Sequence, residues 1–492
     1  MIVDISNSEV DRIFDYAAAD GVQAGHRVRI PFGGRSIEGY VIGLKEGTNV
    51  PPEKLKAVEC VLDDRPVIGK EMLELMRYMC ARYHLRVVDA LRLFIPAQMR
   101  GGRIKELKKR YVRIADEFAG KDADTFIRKS ALAQREVFAH VVAKGEEDTA
   151  YLGREFSAAA VRNLIERGVF IAFERAERRT PYAAVVGNAN SVTLTRAQAQ
   201  VADAVCGSCG QTFLLHGVTG SGKTEVYMRC IASVLEQGKT AIMLEPEISL
   251  TPQVLKNFRA RFGDSVAILH SGLSAGERFD EWRRLLCGEA RVAVGARSAI
   301  FAPLSDLGLI IIDEEHDASY VSDSNPRYCT EEVAAFRAKY NNCNLVMGSA
   351  TPSVESYYRA KAGSYKLLEM RERIASRPLP EIEIVNMCEE LRNGNNGIFS
   401  RRLRNALSDC MDEGNQAIVF INRRGYASFM MCPSCGYVAK CERCDVSLVY
   451  HRDEQILKCH YCNNRYRPPD VCPQCHSPHL RQGYMGTQRV AE

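Results

Sequence analysis

Short apolar runs separated by helical patterns dominate the middle of the chain. Residues 213–215, 241–244, 266–270, 292–295, 309–312 and 345–347 are each the length of a buried strand, and the stretches between them carry helical spacing. Strand and helix in alternation predict a doubly wound parallel sheet with right-handed crossovers. The first hundred residues read differently. Strands over 26–32 and 40–44 flank the turn Gly33-Gly34, and a periodic helix follows over 71–83, so a small half-open β-unit is expected there.

Beyond that unit, residues 101–110 (GGRIKELKKR) form a basic linker headed by two glycines, which marks a domain boundary. A helix over 130–142 is followed by Ser157 as N-cap of a helix over 158–167, ended by Gly168 ahead of a strand over 169–173. Helix, helix, then strand with a basic flank is the grammar of a winged helix, and a plain structural helical module fits the same residues equally well. A second α/β unit begins near Phe399, with a helix over 403–411 and a strand over 417–421 that runs into Asn422, Arg423, Arg424, Gly425 and Tyr426.

Composition narrows the class. At 492 residues the chain exceeds one core, and about three or four domains are expected. A hydrophobic content of 46% makes it globular rather than disordered, while a net charge of +5 does not by itself demand nucleic acid. No basic-then-apolar leader and no apolar run of about 18 residues is present, so a cytoplasmic protein without a membrane partner is expected.

The chemistry concentrates in a few motifs. Gly217, Val218, Thr219, Gly220, Ser221, Gly222, Lys223 and Thr224 match G-x-x-x-x-G-K-T directly after an apolar strand. Such a turn aims backbone N–H groups at phosphates from a helix N-terminus. Lys223 is the expected β/γ-phosphate contact and Thr224 a magnesium ligand, with ATP as the nucleotide. The run over 309–312 ends in Asp313, Glu314, Glu315 and His316, which places carboxylates at the C-terminal edge of a parallel strand. Asp313 is expected to hold magnesium through water and Glu314 to orient the attacking water. Residues 348–352 (GSATP) can hydrogen-bond across to these acids and sense a γ-phosphate. Gln198 falls where many helicases carry an adenine-reading glutamine, although a single helical Gln is ordinarily solvated. Near the start, basic and aromatic residues (Phe14, Tyr16, Arg27, Arg29, Phe32, Arg35) stand close together, which suits base stacking beside phosphate neutralisation.

Of 18 cysteines, eight form the C-x-x-C pairs Cys432/Cys435, Cys441/Cys444, Cys459/Cys462 and Cys472/Cys475. In a cytosolic chain this reads as metal rather than disulfide, and the count fits two closed four-thiolate zinc sites per chain with no position open for catalysis. Spacing leaves three ways of matching the pairs.

Taken together the motifs resemble the PriA-type (primosomal protein N′) replication-restart DNA helicases of helicase superfamily two. The matching stretches include Phe14-Asp15-Tyr16, GVTGSGKTEVY, EPEISLTPQ, HSGLS, VGARSAIFAPL, DEEHD, GSATPS, FINRRGYA and the cysteine array. The resemblance implies a 3′-end DNA-binding domain over 1–104, a winged helix over 105–185 and a first RecA-like lobe over 186–385. It further implies an incomplete second lobe over 386–431 and 477–492, with a zinc module over 432–476 inserted. A pocket of Phe14, Asp15, Tyr16, Gly33 and Lys56 for a 3′-terminal nucleotide is implied as well. So is a nested metal arrangement: Cys441, Cys444, Cys459 and Cys462 around one zinc; Cys432, Cys435, Cys472 and Cys475 around the other. The implied activity is ATP-driven 3′-to-5′ unwinding at abandoned replication forks, with primosome proteins and single-stranded DNA-binding protein as partners.

Two departures from the family pattern stand out. Tyr328 is followed by Cys329, Thr330, Glu331 and Glu332 where the family carries a Tyr-His-x-Arg-Asp run. Residues 486–489 (GTQR) lie just before Glu492, ahead of the family's last helicase motifs and arginine finger, so the chain as given is expected to bind ATP with magnesium but to hydrolyse it at no more than a trace rate and not to unwind a fork. The alternative expectation is a non-enzymatic DNA-structure-binding scaffold.

Overall fold

In the computed structural model Gly33 and Gly34 both take left-handed backbone (φ 57° and 76°), the conformation a two-residue hairpin loop requires. The structure describes residues 1–492 apart from 103–106, 178, 180–192, 248, 375–379, 396, 421–427, 433–434, 452–453, 479–480 and 485–492. Two units divide it, Met1–Arg377 and Pro378–Glu492.

The hairpin belongs to an antiparallel sheet of β1 (Ile2–Val3), β2 (Arg27–Phe32), β3 (Arg35–Tyr40) and β4 (Cys60–Val61), in the order β1-β3-β2-β4. The second strand of the hairpin therefore occupies 35–40, not the expected 40–44. A two-residue turn pairs Phe32 with Arg35 directly and leaves no loop to delay the return strand. Next come α1 (Lys70–Tyr83), which buries Met72, Leu75, Met76 and Met79 as one stripe, and α2 (Val87–Leu91).

An antiparallel three-stranded sheet, order β6-β5-β7, follows from β5 (Leu107–Ile114), β6 (Glu146–Asp148) and β7 (Phe170–Glu177). It packs against α3 (Leu132–Lys144), α4 (Thr149–Leu152) and α5 (Ala158–Glu166) through Val112, Phe138, Leu164 and Phe170. Ser157 caps α5, its Oγ accepting the Ala160 N–H at 3.3 Å.

The centre of the first unit is a seven-stranded, all-parallel sheet built from β8 (Thr212–Gly217), β9 (Thr240–Leu244), β10 (Val266–Leu269), β11 (Val292–Gly295), β12 (Leu307–Ile312), β13 (Asn344–Ser349) and β14 (Lys366–Met370). Its order is β10-β11-β9-β12-β13-β8-β14. The intervening helices are α6 (Arg196–Cys206), α7 (Lys223–Glu236), α8 (Pro252–Phe262), α9 (Ala275–Leu286), α10 (Thr330–Tyr340) and α11 (Val354–Lys361). This is a RecA-like α/β lobe. Burial on both faces explains why its strands read as continuous apolar runs.

One buried ion pair ties α1 to α10. Arg337 is fully buried and donates to both carboxylate oxygens of Glu71 (2.5 and 3.1 Å) and to the Ile300 and Ala302 carbonyls (2.6 and 3.0 Å). Glu71→Ala leaves that guanidinium buried without its counter-charge, and we expect a loss of about 3–5 kcal/mol in denaturant unfolding of the first unit. A change below about 1 kcal/mol would contradict it.

The second unit holds α12 (Met387–Arg392), α13 (Arg401–Asp412) and a five-stranded antiparallel sheet, order β18-β17-β16-β15-β19. Its strands are β15 (Ser428–Met431), β16 (Val449–His451), β17 (Ile456–Lys458), β18 (Arg465–Tyr466) and β19 (Arg481–Tyr484). The strand expected over 417–421 is not formed by 417–420; Ile418 and Phe420 are exposed, because no described strand pairs with them. Residues 421–427 and 486–489 lie outside the described residues.

Candidate active site, DNA-end pocket and metal centres

Strand β8 delivers the chain into the glycine-rich turn at the C-terminal edge of the parallel sheet. Gly220 and Gly222 take φ of 82° and 80°, and α7 begins at Lys223. A Cβ on Gly222 would stand 2.4 Å from Gln198 Nε2, so the turn needs glycine for space as well as for backbone conformation. Gln198 is not solvated. It is buried; its Oε1 accepts the Thr195 N–H (2.8 Å) in a capping box, and its Nε2 donates to the Ser221 carbonyl (3.0 Å). The glutamine thereby pins the start of α6 to the turn.

Two features of the turn fit a bound phosphate chain. Ser221 Oγ is buried with no hydrogen-bond partner among the described residues, the orphan expected where a ligand oxygen belongs. Lys223 is buried as well; its Nζ donates to the Gly217 carbonyl at 3.3 Å and lies 3.5 Å from Glu314 Oε1. A cation held this way can exchange those contacts for phosphate oxygens, and Thr224 stands beside it at the second position of α7.

The acids arrive on β12, which pairs with β9 and β13. Asp313 is buried, and its Oδ1 accepts the Tyr227 hydroxyl at 2.8 Å while its carbonyl accepts Tyr320 Oη at 2.8 Å. Burial raises the Asp313 pKa. Glu245, at the end of β9, is pushed up to about 8 by burial and by the charges of Asp313 and Glu314. Three carboxylates around one lysine form a pocket short of positive charge, which suits a divalent cation, and Asp313 with Thr224 could supply its ligands. Glu314 takes left-handed backbone, φ 46°.

Among the described residues the hydroxyls of 348–352 meet His316 and not the carboxylates; the acid tied to this segment is Glu315, held by Ser353 and Ser356 just beyond the run. Glu315 accepts from Ser353 N (2.7 Å), Ser353 Oγ (3.1 Å) and Ser356 Oγ (2.9 Å). His316 Nδ1 is hydrogen-bonded to Ser349 Oγ at 2.8 Å. Sequence reasoning missed Tyr227. Its signal was available, since it stands four residues after Lys223 on one helix face. It also explains Gly348, where a Cβ would lie 1.7 Å from the Tyr227 hydroxyl.

Far from this site along the chain, one cleft brings Phe14, Asp15, Tyr16, Gly33 and Lys56 together, joined by Arg12, Phe32 and Lys54. Phe14 meets Phe32 edge to face at 5.2 Å, Arg12 lies over the Phe14 ring at 5.1 Å, and Tyr16 Oη donates to the Pro31 carbonyl at 3.2 Å. An aromatic wall with basic side chains at its rim can stack a base and neutralise its phosphate. The Asp15 pKa is held below the usual carboxylate range by hydrogen bonds from Lys45 and Thr48.

In the second unit, the eight cysteines gather into two sets. Cys432, Cys435, Cys472 and Cys475 form one; Cys441, Cys444, Cys459 and Cys462 form the other, the sulfurs of each lying within 4.8 Å of one another. Sulfur separations such as Cys432–Cys475 (3.5 Å) and Cys441–Cys462 (3.6 Å) approach the roughly 3.8 Å edge of a tetrahedron with zinc–sulfur bonds of about 2.3 Å. Each pair sits in the same turn. The residue after its second cysteine donates N–H to the first cysteine's carbonyl and takes left-handed backbone: Gly436, Asp445, Asn463 and His476. Gly, Asp, Asn and His are the residues that tolerate this conformation. The donor chemistry and closed geometry fit zinc, and the nested pairing implied by the resemblance is the one the fold builds.

A glycine-rich turn facing a Asp-Glu-Glu-His strand end on a RecA-like sheet defines an ATP-hydrolysing helicase lobe. Residues 195–360 match the DEAD/DEAH box helicase family model. Residues 1–96 match a 3′DNA-binding domain model, and residues 441–467 match the PriA DNA helicase Cys-rich region. Replication restart protein PriA of Bacillus subtilis (strain 168) is 38% identical across the whole chain, which covers 70% of that relative. The Synechocystis sp. protein of the same name is 34% identical, again across the whole chain and 69% of its own length. That of Treponema pallidum is 44% identical over 62% of this chain and 46% of its own. The chain belongs to the PriA family of replication restart proteins; it is a DNA helicase that hydrolyses ATP, binds DNA and carries zinc-binding cysteine clusters. No helix among the described residues is long and apolar enough to cross a membrane.

Proposed function

We propose that this protein recognises forked DNA through a free 3′ end and drives 3′-to-5′ unwinding there, preparing the fork for primosome assembly and replication restart. The observation that carries the reading is the cleft where Phe14, Asp15, Tyr16, Gly33 and Lys56 converge, within the first unit that also holds the Lys223–Glu314 site. Phe14 and Tyr16 supply a base-stacking wall, Lys56 the phosphate contact, and Asp15 a hydrogen-bond acceptor for a terminal hydroxyl. At the nucleotide site, residues 217–222 cradle the phosphates through backbone N–H groups and Lys223 contacts the β/γ-phosphates. Thr224 and Asp313 hold magnesium, and Glu314 orients the attacking water. Zinc, two ions per chain, holds the cysteine module together. The working division is 1–104 for DNA ends, 105–185 as a winged helix, 186–385 as the first lobe, and 386–431 with 477–492 as the second-lobe portion around a zinc module at 432–476. Primosome proteins and single-stranded DNA-binding protein are the proposed partners, in the cytoplasm.

Strand displacement from matched partial duplexes tests polarity. Duplexes with a 3′ single-stranded tail should be opened in the presence of ATP and magnesium, and those with only a 5′ tail should not. Equal opening of both would overturn the proposed direction.

A further inference from the structure

Asp15 does not stand alone in its cleft. Its Oδ2 accepts from Lys45 Nζ at 2.7 Å and from Thr48 Oγ1 at 2.5 Å, both on the segment that follows β3 in the chain. Thr48 Oγ1 in turn accepts the Val50 N–H at 3.1 Å, so the oxygen is held in place and its single hydrogen is directed at Asp15. Asp15 Oδ1 accepts no hydrogen bond among the described residues. One oxygen is clamped by two donors while the other is left to the cleft.

The charge arrangement points the same way. A lone carboxylate beside a DNA end repels the terminal phosphodiester, which Arg12, Lys54 and Lys56 at the rim attract. Lys45, whose side chain is 58% exposed against 21% for Asp15, forms an ion pair that offsets the repulsion while remaining reachable by the strand.

Resting on the reading of this cleft as a 3′-end pocket, we propose that Lys45 and Thr48 are its positioning and specificity residues: they immobilise Asp15 Oδ2 so that Oδ1 meets a terminal hydroxyl, and Lys45 masks the carboxylate from the terminal phosphodiester. Thr48 acts through Asp15. Lys45 acts through Asp15 and through its own charge.

Fluorescence anisotropy with single-stranded oligonucleotides ending in 3′-hydroxyl, 3′-deoxy or 3′-phosphate separates these roles in the full chain without nucleotide. Thr48→Val should lower the hydroxyl-over-deoxy preference by roughly threefold to tenfold, the scale of one net hydrogen bond, and Thr48→Ser should restore it. Lys45→Met should weaken all ends by roughly twofold to fivefold, the scale of an exposed ion pair, with phosphate-ended strands losing most and the difference shrinking as salt rises. In an Asp15→Asn background Thr48→Val should no longer change the preference. If Asp15→Asn abolishes the preference while Thr48→Val and Lys45→Met leave it intact, the clamp is refuted and the pocket stands. If the unaltered protein binds hydroxyl and deoxy ends equally, the 3′-end reading itself fails.

Discussion

Lys223→Ala is expected to remove nucleotide-dependent behaviour and leave DNA-end binding as it was. The side chain is buried between the Gly217 carbonyl and Glu314, where its charge is the nearest counterweight to three carboxylates. Alanine there leaves Glu245, Asp313 and Glu314 facing incoming phosphates without that cation. The loss in DNA-stimulated phosphate release should be on the order of 10²- to 10³-fold, the effect of deleting one preorganised charge-stabilising group. The residues of the proposed DNA-end cleft lie between Arg12 and Lys56 and, among the described residues, share no hydrogen bond with the glycine-rich turn, so affinity for 3′-ended DNA in nucleotide-free buffer should stay within about twofold. Parallel phosphate-release and anisotropy titrations check both halves. A matching loss of DNA affinity without nucleotide would refute the separation of the two sites.

Removing zinc should have the largest effect on folding. The apolar core around the cysteines is small: Met430, Ala439, Leu448 and Leu457 are its buried members besides Cys441 and Cys459. Metal coordination supplies what such a core lacks, about 10–16 kcal/mol of apparent binding energy per structural site at neutral pH. A strong chelator under reducing conditions should expose residues 432–475 to proteolysis, while the Met1–Arg377 unit keeps its protection. Metal analysis of fresh, reduced protein should return two zincs, and Cys459→Ser, at a fully buried ligand position, should reduce the count to one. Fewer than two zincs at the outset, or unchanged protease resistance after chelation, would refute a structural role.

What was legible in the chain was what local spacing encodes. The turn around Lys223, the acids at the end of β12 and the central strands declare themselves through neighbours a few residues apart. The cysteine pairs were equally plain, but their matching was not, because it depends on how β15–β19 fold back on one another and bring Cys432 beside Cys475. The burial of Gln198 was hidden for the same reason: its partner Ser221 is 23 residues away and meets it only when α6 packs beside the turn. The cleft of Phe14, Asp15, Tyr16, Gly33 and Lys56, proposed above for a DNA end, had its residues marked by the family motif, yet Lys45 and Thr48, in a loop without periodicity, carried no local signal. The strand expected over 417–421 shows the opposite failure at its described residues, 417–420, since apolar β-formers describe a surface to be covered and not the strand that covers it.

Glu314 sits in left-handed backbone, a conformation that disfavours a side chain of its size by roughly 1 kcal/mol. Glycine at this position would relax the chain and delete the carboxylate in a single change. Laboratory selection for heat tolerance alone should therefore drift toward Glu314→Gly and enrich well-folded proteins that no longer consume ATP, whereas selection that also demands growth after fork damage should hold the glutamate in place. With the role proposed for Glu314, durability and turnover become competing traits at one residue.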